Sequence, residues 1–422
     1  MKNAALILIF IFQVISSQAS YLFLPMDEAQ SNHLKAYGVT YWVLTKEVES
    51  YWLLNYRGGS FMFKYSQQFE NELVVRGIKY EVISDAQSNS ILAEIASPEA
   101  NMDAIKLEKP PKIAVYSPKT KQPWDDAVTM VLAYAEIPYT VIFDEEIMNG
   151  ELPKYDWLHL HHEDFTGQYG KFYQSYHTQQ WYQREVKEAE EMAKKFEIAK
   201  VSQLKLAVAK KIREFVVGGG FLFAMCAATD TYDIALSADG TDICEYIYDG
   251  DPSDPNAQRK LSFANTFAFK DFQLVHDPLA YEYSNIDSRP NTNPHPLVEE
   301  KNDFFNLFQF SAKWDPVPTM LTQNHESNIK GFMGQTTAFR KSLIKSDVLI
   351  LGESKPLNEA RYIHSNFGKG FWTFYGGHDP EDYQHFVGEE PTDLNLHPTS
   401  PGFRLILNNI LFPAAKKKKQ KT

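Results

Sequence analysis

The chain has 422 residues, of which 44% are apolar and 14% aromatic, enough for a sizeable core and for two or three domains or one enlarged one. Its formal charge is −12; Lys416 to Lys419 and Lys421 supply five positive charges, so the remainder carries −17. A body this acidic argues against a nucleic-acid partner, because such binders need a basic face.

Residues 1–20 read as an export signal. Lys2 gives a positive start, 4–15 is apolar apart from Gln13, and Ser17 and Ala19 place small residues before a cleavage point. The apolar run is shorter than the roughly 20 residues of a membrane span. No other segment is apolar enough, so we expect a periplasmic or secreted chain with no transmembrane span after cleavage. Residues 21–108 read as an N-terminal α/β segment. It holds a helix over 32–44, a strand over 51–56, a glycine turn at 57–60, an amphipathic stretch over 69–75 and a strand over 80–83. Residues 87–111 are mostly polar and end in Lys109-Pro110-Pro111, which predicts a linker.

The main unit spans 109–415. Strands are predicted over 112–116, 140–143, 155–161, 221–224, 347–351 and 371–375, with helices over 124–135, 204–217 and 403–412. That alternation predicts an α/β fold with a doubly wound parallel sheet. Two insertions interrupt it, 165–200 and 239–319. The first contains REVKEAEEMAKKFEIAK, a charged stretch expected as a solvated surface helix with i,i+4 pairs, with a structural cover or partner-binding helix as the alternative. The second contains Asp249, Asp251 and Asp254, which lack EF-hand spacing and read as a solvated turn. The tail, 416–422, is basic and expected to be disordered.

In open parallel sheets, ligands bind beyond the carboxyl ends of the strands. Three predicted strands end in reactive residues: His161, His162, Glu163 and Asp164 after one, Cys226 after another, and Gly377, His378, Asp379 and Glu381 after a third. Cys226, in FLFAMCAATD, would sit on a sharp turn between strand and helix, where backbone N–H groups favour a thiolate and an oxyanion. His378 is then the candidate base, with Asp379 or Glu381 orienting it. A buried free Cys226, or a disulfide to Cys244, is the competing reading. His159 and His161 share a strand face, but a third ligand at a defined spacing is missing, so no metal and no cofactor is expected. His161, His162, Glu163, Asp164 and Gly377 would contact a small-molecule or carbohydrate ligand. Arg57, in NYRGGSF, could add an anion contact, although a structural turn explains it too. The aromatics Tyr169, Phe172, Tyr173, Tyr176, Trp181 and Tyr182 suit either sugar stacking or packing.

The strand leading to Cys226, together with GKGFWTFYGGHDPED and PGFRLILNNILFPA, resembles the class I glutamine amidotransferase-like superfamily. The C-terminal part is most similar to ThuA-like proteins. The resemblance covers about 112–415 and implies a flavodoxin-like sandwich and a Cys-dependent hydrolase acting on an amide or a carbohydrate-derived substrate. A non-catalytic periplasmic protein that binds a carbohydrate or peptide in the same crevice is the alternative. Ala224 and Ala228 stand where the superfamily has glycines, and Pro380 stands where it has Glu. The N-terminal stretches MDEAQSNHLKAYGVTYWVL and WLLNYRGGSF carry a second likeness: over its whole length the chain also resembles exported Bacteroidota proteins labelled asparagine synthetase B. Lys2 replaces that enzyme's nucleophilic Cys, and its Ser-Gly-Gly-x-Asp-Ser loop is absent.

Overall fold

The computed structural model describes residues 20–118, 126–289, 298–384, 386 and 388–416. The expected export signal up to residue 19, Trp124 and the lysine tail after Lys416 lie outside the described residues.

Five strands, β1 (Tyr21–Leu24), β2 (Ser50–Leu54), β3 (Ser60–Lys64), β4 (Glu81–Ile83) and β5 (Asp103–Leu107), form an antiparallel sheet in the order β4-β1-β3-β2-β5. Their side chains alternate between two apolar layers. Leu22, Leu24, Trp52, Leu54, Phe61 and Phe63 face the main core, while Phe23, Leu53 and Met62 face a smaller cluster with Ile83 and Ile95. The expected linker is corrected here. Part of it is the helix Asp85–Ala96, started by a capping box of Ser84 and Gln87, and part is β5. Its polarity is that of a surface helix and an edge strand, which composition alone does not separate from a loop.

The second sheet contains β6 (Ile113–Tyr116), β7 (Thr140–Ile142), β8 (Trp157–Leu160), β9 (Phe221–Met225), β10 (Phe304–Leu307), β11 (Asn328–Lys330), β12 (Phe339–Arg340), β13 (Leu349–Ser354), β14 (Glu359–Phe367) and β15 (Gly370–Tyr375). It is mixed. β7-β6-β8-β9-β15 are parallel, and β14, β13, β10 and β11 extend that block antiparallel, with β12 also paired to β14. The chain is therefore α/β, but the fully parallel sheet read from the sequence covers only the first five strands of this order.

The parallel strands are apolar on both faces because both are covered. On one side Ile113, Val115, Trp157, Phe223 and Met225 join the same core as the N-terminal sheet. The helices His33–Thr45, Ala127–Tyr134 and Pro401–Leu411 fill the space between the two sheets. Pro401–Leu411 is buried from Gly402 to Leu411, as expected for a helix without a solvent face. On the other side Ala114, Leu158, Leu160, Leu222 and Ala224 pack with Leu204, Val208, Ile212 and Val216 of the helix Val201–Gly218.

Candidate functional site

The strand order reverses between β6 and β8: the chain winds from β6 to β7 in one direction and from β8 through β9 to β15 in the other. That is where an open parallel sheet leaves a crevice at its carboxyl edge. Most of the residues singled out in the sequence meet there.

His161 is fully buried and His162 half-buried just after β8, while His378 is buried just after β15. Ring centroids lie 5.1 Å apart for His161–His162, 4.4 Å for His161–His378 and 6.1 Å for His162–His378. One nitrogen from each of the three rings lies within 4.8 Å of the others. Behind them stands Asp126, which the sequence reading missed. Its carboxylate lies 3.3 Å from His161 Nδ1 and 3.2 Å from His159 Nε2, and it caps the helix Ala127–Tyr134 by accepting from Thr129 N–H at 2.9 Å. Burial alone would raise its pKa, but the His159 and His161 rings outweigh burial and hold the carboxyl well below the usual carboxylate range. Burial pushes His159 down, and Asp126 opposes that shift. An acid directly before an apolar helical run is an N-cap signal, and it was the one sequence clue to Asp126.

Cys226 adopts φ +48°, between β9 and the helix Ala228–Ser237. This is the strained strand-to-helix elbow the sequence suggested. The peptide is pinned by Cys226 N–H donating to Gly377 C=O at 3.1 Å and Ala228 N–H donating to His161 C=O at 3.0 Å. The thiol is fully buried and accepts Gln335 N–H at 3.3 Å. Burial pushes it up to about 11, away from the thiolate a nucleophile requires. Cys226 and Cys244 are both free thiols, so the disulfide reading does not hold.

The other predicted residues have clear partners. Gly377 takes φ +101°, and a Cβ there would meet the Phe332 ring at 2.4 Å. Asp379 Oδ1 accepts Glu381 N–H at 2.9 Å, and Glu381 Oε2 lies 3.2 Å from His397 Nδ1. Asp164 accepts the N–H groups of Thr166, Gln168 and Gly170, shaping the loop after β8. Arg57 pairs with Asp27 at 2.8 Å and Glu81 at 2.5 Å in the N-terminal sheet, which supports its structural reading. Asp249 and Asp251, with Asp242, surround Lys200 Nζ at 2.5–3.1 Å, so an ammonium offsets part of the charge of that acidic turn.

A cavity of about 420 Å³ opens beside the histidines. Pro118, Phe143, His162, Glu163 and Asp164 line it from the sheet edge, and the helix Gln180–Lys195 roofs it with Glu185, Glu188, Ala189, Glu191, Met192 and Lys195. The charged helix of the first insertion is thus a cover. Burial pushes Glu163 up to about 7 and Glu185 up to about 7. Glu163 Oε2 accepts His161 N–H at 2.9 Å. Of the aromatics in this insertion, Tyr169, Phe172 and Tyr182 are buried; Tyr169 and Phe172 line the cavity, while Trp181 packs edge-on against Phe172.

No known protein family matches the chain, and no curated protein does. Among solved structures it is similar to two Salmonella typhimurium proteins titled cytoplasmic. For STM3548 the identity is 10%, covering 72% of this chain and 100% of that one, with a TM-score of 0.33. For STM1381 the identity is 8%, covering 66% and 91%, with a TM-score of 0.31. A GH42 beta-galactosidase, Gan42B, is 11% identical over 64% of this chain and 28% of its own, with a TM-score of 0.26. These scores are too low to mean a shared fold.

Proposed function

We propose that this chain is an exported hydrolase of the amidotransferase-like, ThuA-like kind, whose reaction centre is the His161–His162–His378 cluster rather than the Cys226 thiol. The carrying observation is that three imidazoles from two distant segments converge at the carboxyl edge of the parallel block. The parallel order β7-β6-β8-β9-β15 corresponds to 2-1-3-4-5, which supports a flavodoxin-like arrangement. His378 then belongs to the imidazole cluster and is not the base for a thiol whose acidity burial has suppressed.

The cavity supports the choice of substrate class. Glu145, Glu146, Glu163, Asp164, Glu185, Glu188 and Glu191 line it against Lys195 and Lys205. Both lysines are engaged, Lys195 with Glu145 at 2.8 Å and Lys205 with Asp144 at 2.9 Å. Such a lining repels phosphates and carboxylates and favours neutral or cationic groups. An amide or an amine-bearing, carbohydrate-derived molecule fits that charge.

A panel of neutral and cationic amides, esters and carbohydrate derivatives, assayed with the wild type, Cys226→Ala and His378→Asn, tests this reading. Turnover retained in Cys226→Ala and lowered about 10²–10⁴-fold in His378→Asn is expected. Turnover lost only with Cys226→Ala would return the chemistry to the thiol. Ligand binding with no turnover of any panel member would favour the binding-protein alternative.

A further inference from the structure

We propose that His161, His162 and His378 bind one divalent transition-metal ion, zinc by the chemistry of the donors, with Asp126 as the residue that positions His161. The inference deepens the reaction-centre reading above and rests on it.

Three neutral imidazoles are a donor set suited to zinc, and a three-His site leaves a fourth position for water or substrate. Zinc–nitrogen bonds of about 2.0–2.1 Å put tetrahedral ligand atoms roughly 3.4 Å apart. The ring nitrogens lie within 4.8 Å of one another, so modest ring rotation closes the set. His161 and His378 are buried at 0% and 2% exposure, which excludes competing water, while His162 lines the cavity and leaves the centre an entrance.

The surroundings match the outer shell of a metal site. Asp126 Oδ1 contacts His161 Nδ1 at 3.3 Å, so the other ring nitrogen, Nε2, is the ligand atom of the proposed centre. A carboxylate behind a ligating imidazole fixes its tautomer and strengthens it as a donor. The same carboxylate reaches His159 Nε2 at 3.2 Å, and His159 Nδ1 lies 3.3 Å from Phe223 C=O, which anchors the chain of contacts to β9. The bound ion would act as a Lewis acid and lower the pKa of its water. Two further clusters bring donor atoms within 4.8 Å: Asp126, His159 and His161, whose carboxylate already bridges the two imidazoles, and Asp242, Cys244 and Asp249, two of whose members pair with Lys200.

The test is equilibrium dialysis of chelator-treated chain against Zn²⁺, and against Co²⁺ with visible absorption recorded. The expected result is one equivalent per chain and a tetrahedral cobalt spectrum. His162→Ala and His378→Ala should each remove the saturable equivalent while far-UV circular dichroism stays native. His162 is half-buried, so its variant keeps the test valid if His378→Ala fails to fold. Asp126→Asn should keep the stoichiometry and weaken affinity about 10–100-fold. Cys244→Ser should bind as the wild type does. No bound equivalent, an equivalent that survives both His variants, or one lost with Cys244→Ser would overturn the metal centre. Unchanged affinity in Asp126→Asn would overturn the positioning role. Turnover by chain that binds no metal would remove the ion and leave the reaction-centre reading intact, so the two failures are distinguishable.

Discussion

At the scale of single residues, burial decides what each functional group can do. Cys226 carries the backbone of an elbow but the acidity of a core thiol. We expect iodoacetamide at pH 8 to leave it unlabelled in the native chain and to label it in urea; fast native labelling, read by mass spectrometry, would contradict this. Gly377 holds His378 through a positive φ and a close approach to Phe332. Gly377→Ala should cost about 1–3 kcal/mol and displace His378, measured as a lower urea midpoint with the cluster disrupted. Asp230 is buried beside Thr336, whose hydroxyl donates to it at 3.0 Å, and burial pushes its carboxyl up to about 8. Asp233, accepting three N–H groups from 267–269, is pushed by burial up to about 6. A carboxyl raised in the folded state holds its proton more tightly there than in the unfolded chain. Its contribution is therefore full below about pH 4 and is lost as pH rises through the folded value. Carboxyls shifted the other way, such as Asp303, act below about pH 4, outside this window. Below about pH 7 the buried His33, His325 and His364, which burial holds down, oppose this fall, because the unfolded chain takes up their protons. Urea melts should therefore show stability falling from pH 7 to pH 8, and Asp230→Asn should flatten the slope. A rising slope would count against the account.

At the scale of elements, the sequence revealed some things well and others poorly. β6, β8, β9 and β15 were legible because strands buried on both faces read as short apolar runs. The ends of those strands then pointed to His161, His162, Cys226 and His378. β14, the longest strand, was not legible: EARYIHSNF mixes Glu359, Arg361 and His364 among apolar residues. The structure supplies the reason. Glu359 and Arg361 are buried and satisfied by a network in which Arg289 pairs with Asp303 at 2.6 Å and with Glu359, and Arg361 pairs with Asp303 at 3.3 Å. No local pattern announces such partners, since they come from the second insertion. Nor could spacing reveal that the third imidazole beside His161 and His162 lies near the far end of the chain. The network ties that insertion to the antiparallel half of the sheet. Removing one charge leaves the others buried and unbalanced, so Asp303→Asn should cost about 3–5 kcal/mol, read from chemical denaturation. A change under about 1 kcal/mol would show that the network is dispensable.

At the scale of the whole molecule, the two sheets share one core. Arg404, fully buried in Pro401–Leu411, donates to Met26 C=O at 3.1 Å, to Tyr37 Oη at 3.1 Å and to Gly58 C=O, joining the C-terminal helix to the first 60 residues. A chain starting at residue 109 would expose the apolar face made by 113–115, 157 and 223–225 with the C-terminal helix. It should aggregate, while the chain from residue 20 onward stays monodisperse in size-exclusion chromatography. That shared core also fixes the wall behind Asp126, His159 and His161, so the imidazole cluster depends on both sheets. The central claim is that three imidazoles converge on one metal-binding centre. Its most direct test is a crystal of the chain soaked in zinc, with anomalous scattering recorded at the zinc edge. The account predicts one dominant peak about 2.0–2.1 Å from ring nitrogens of His161, His162 and His378. An empty cluster, or the dominant peak at Asp242, Cys244 and Asp249, would contradict it.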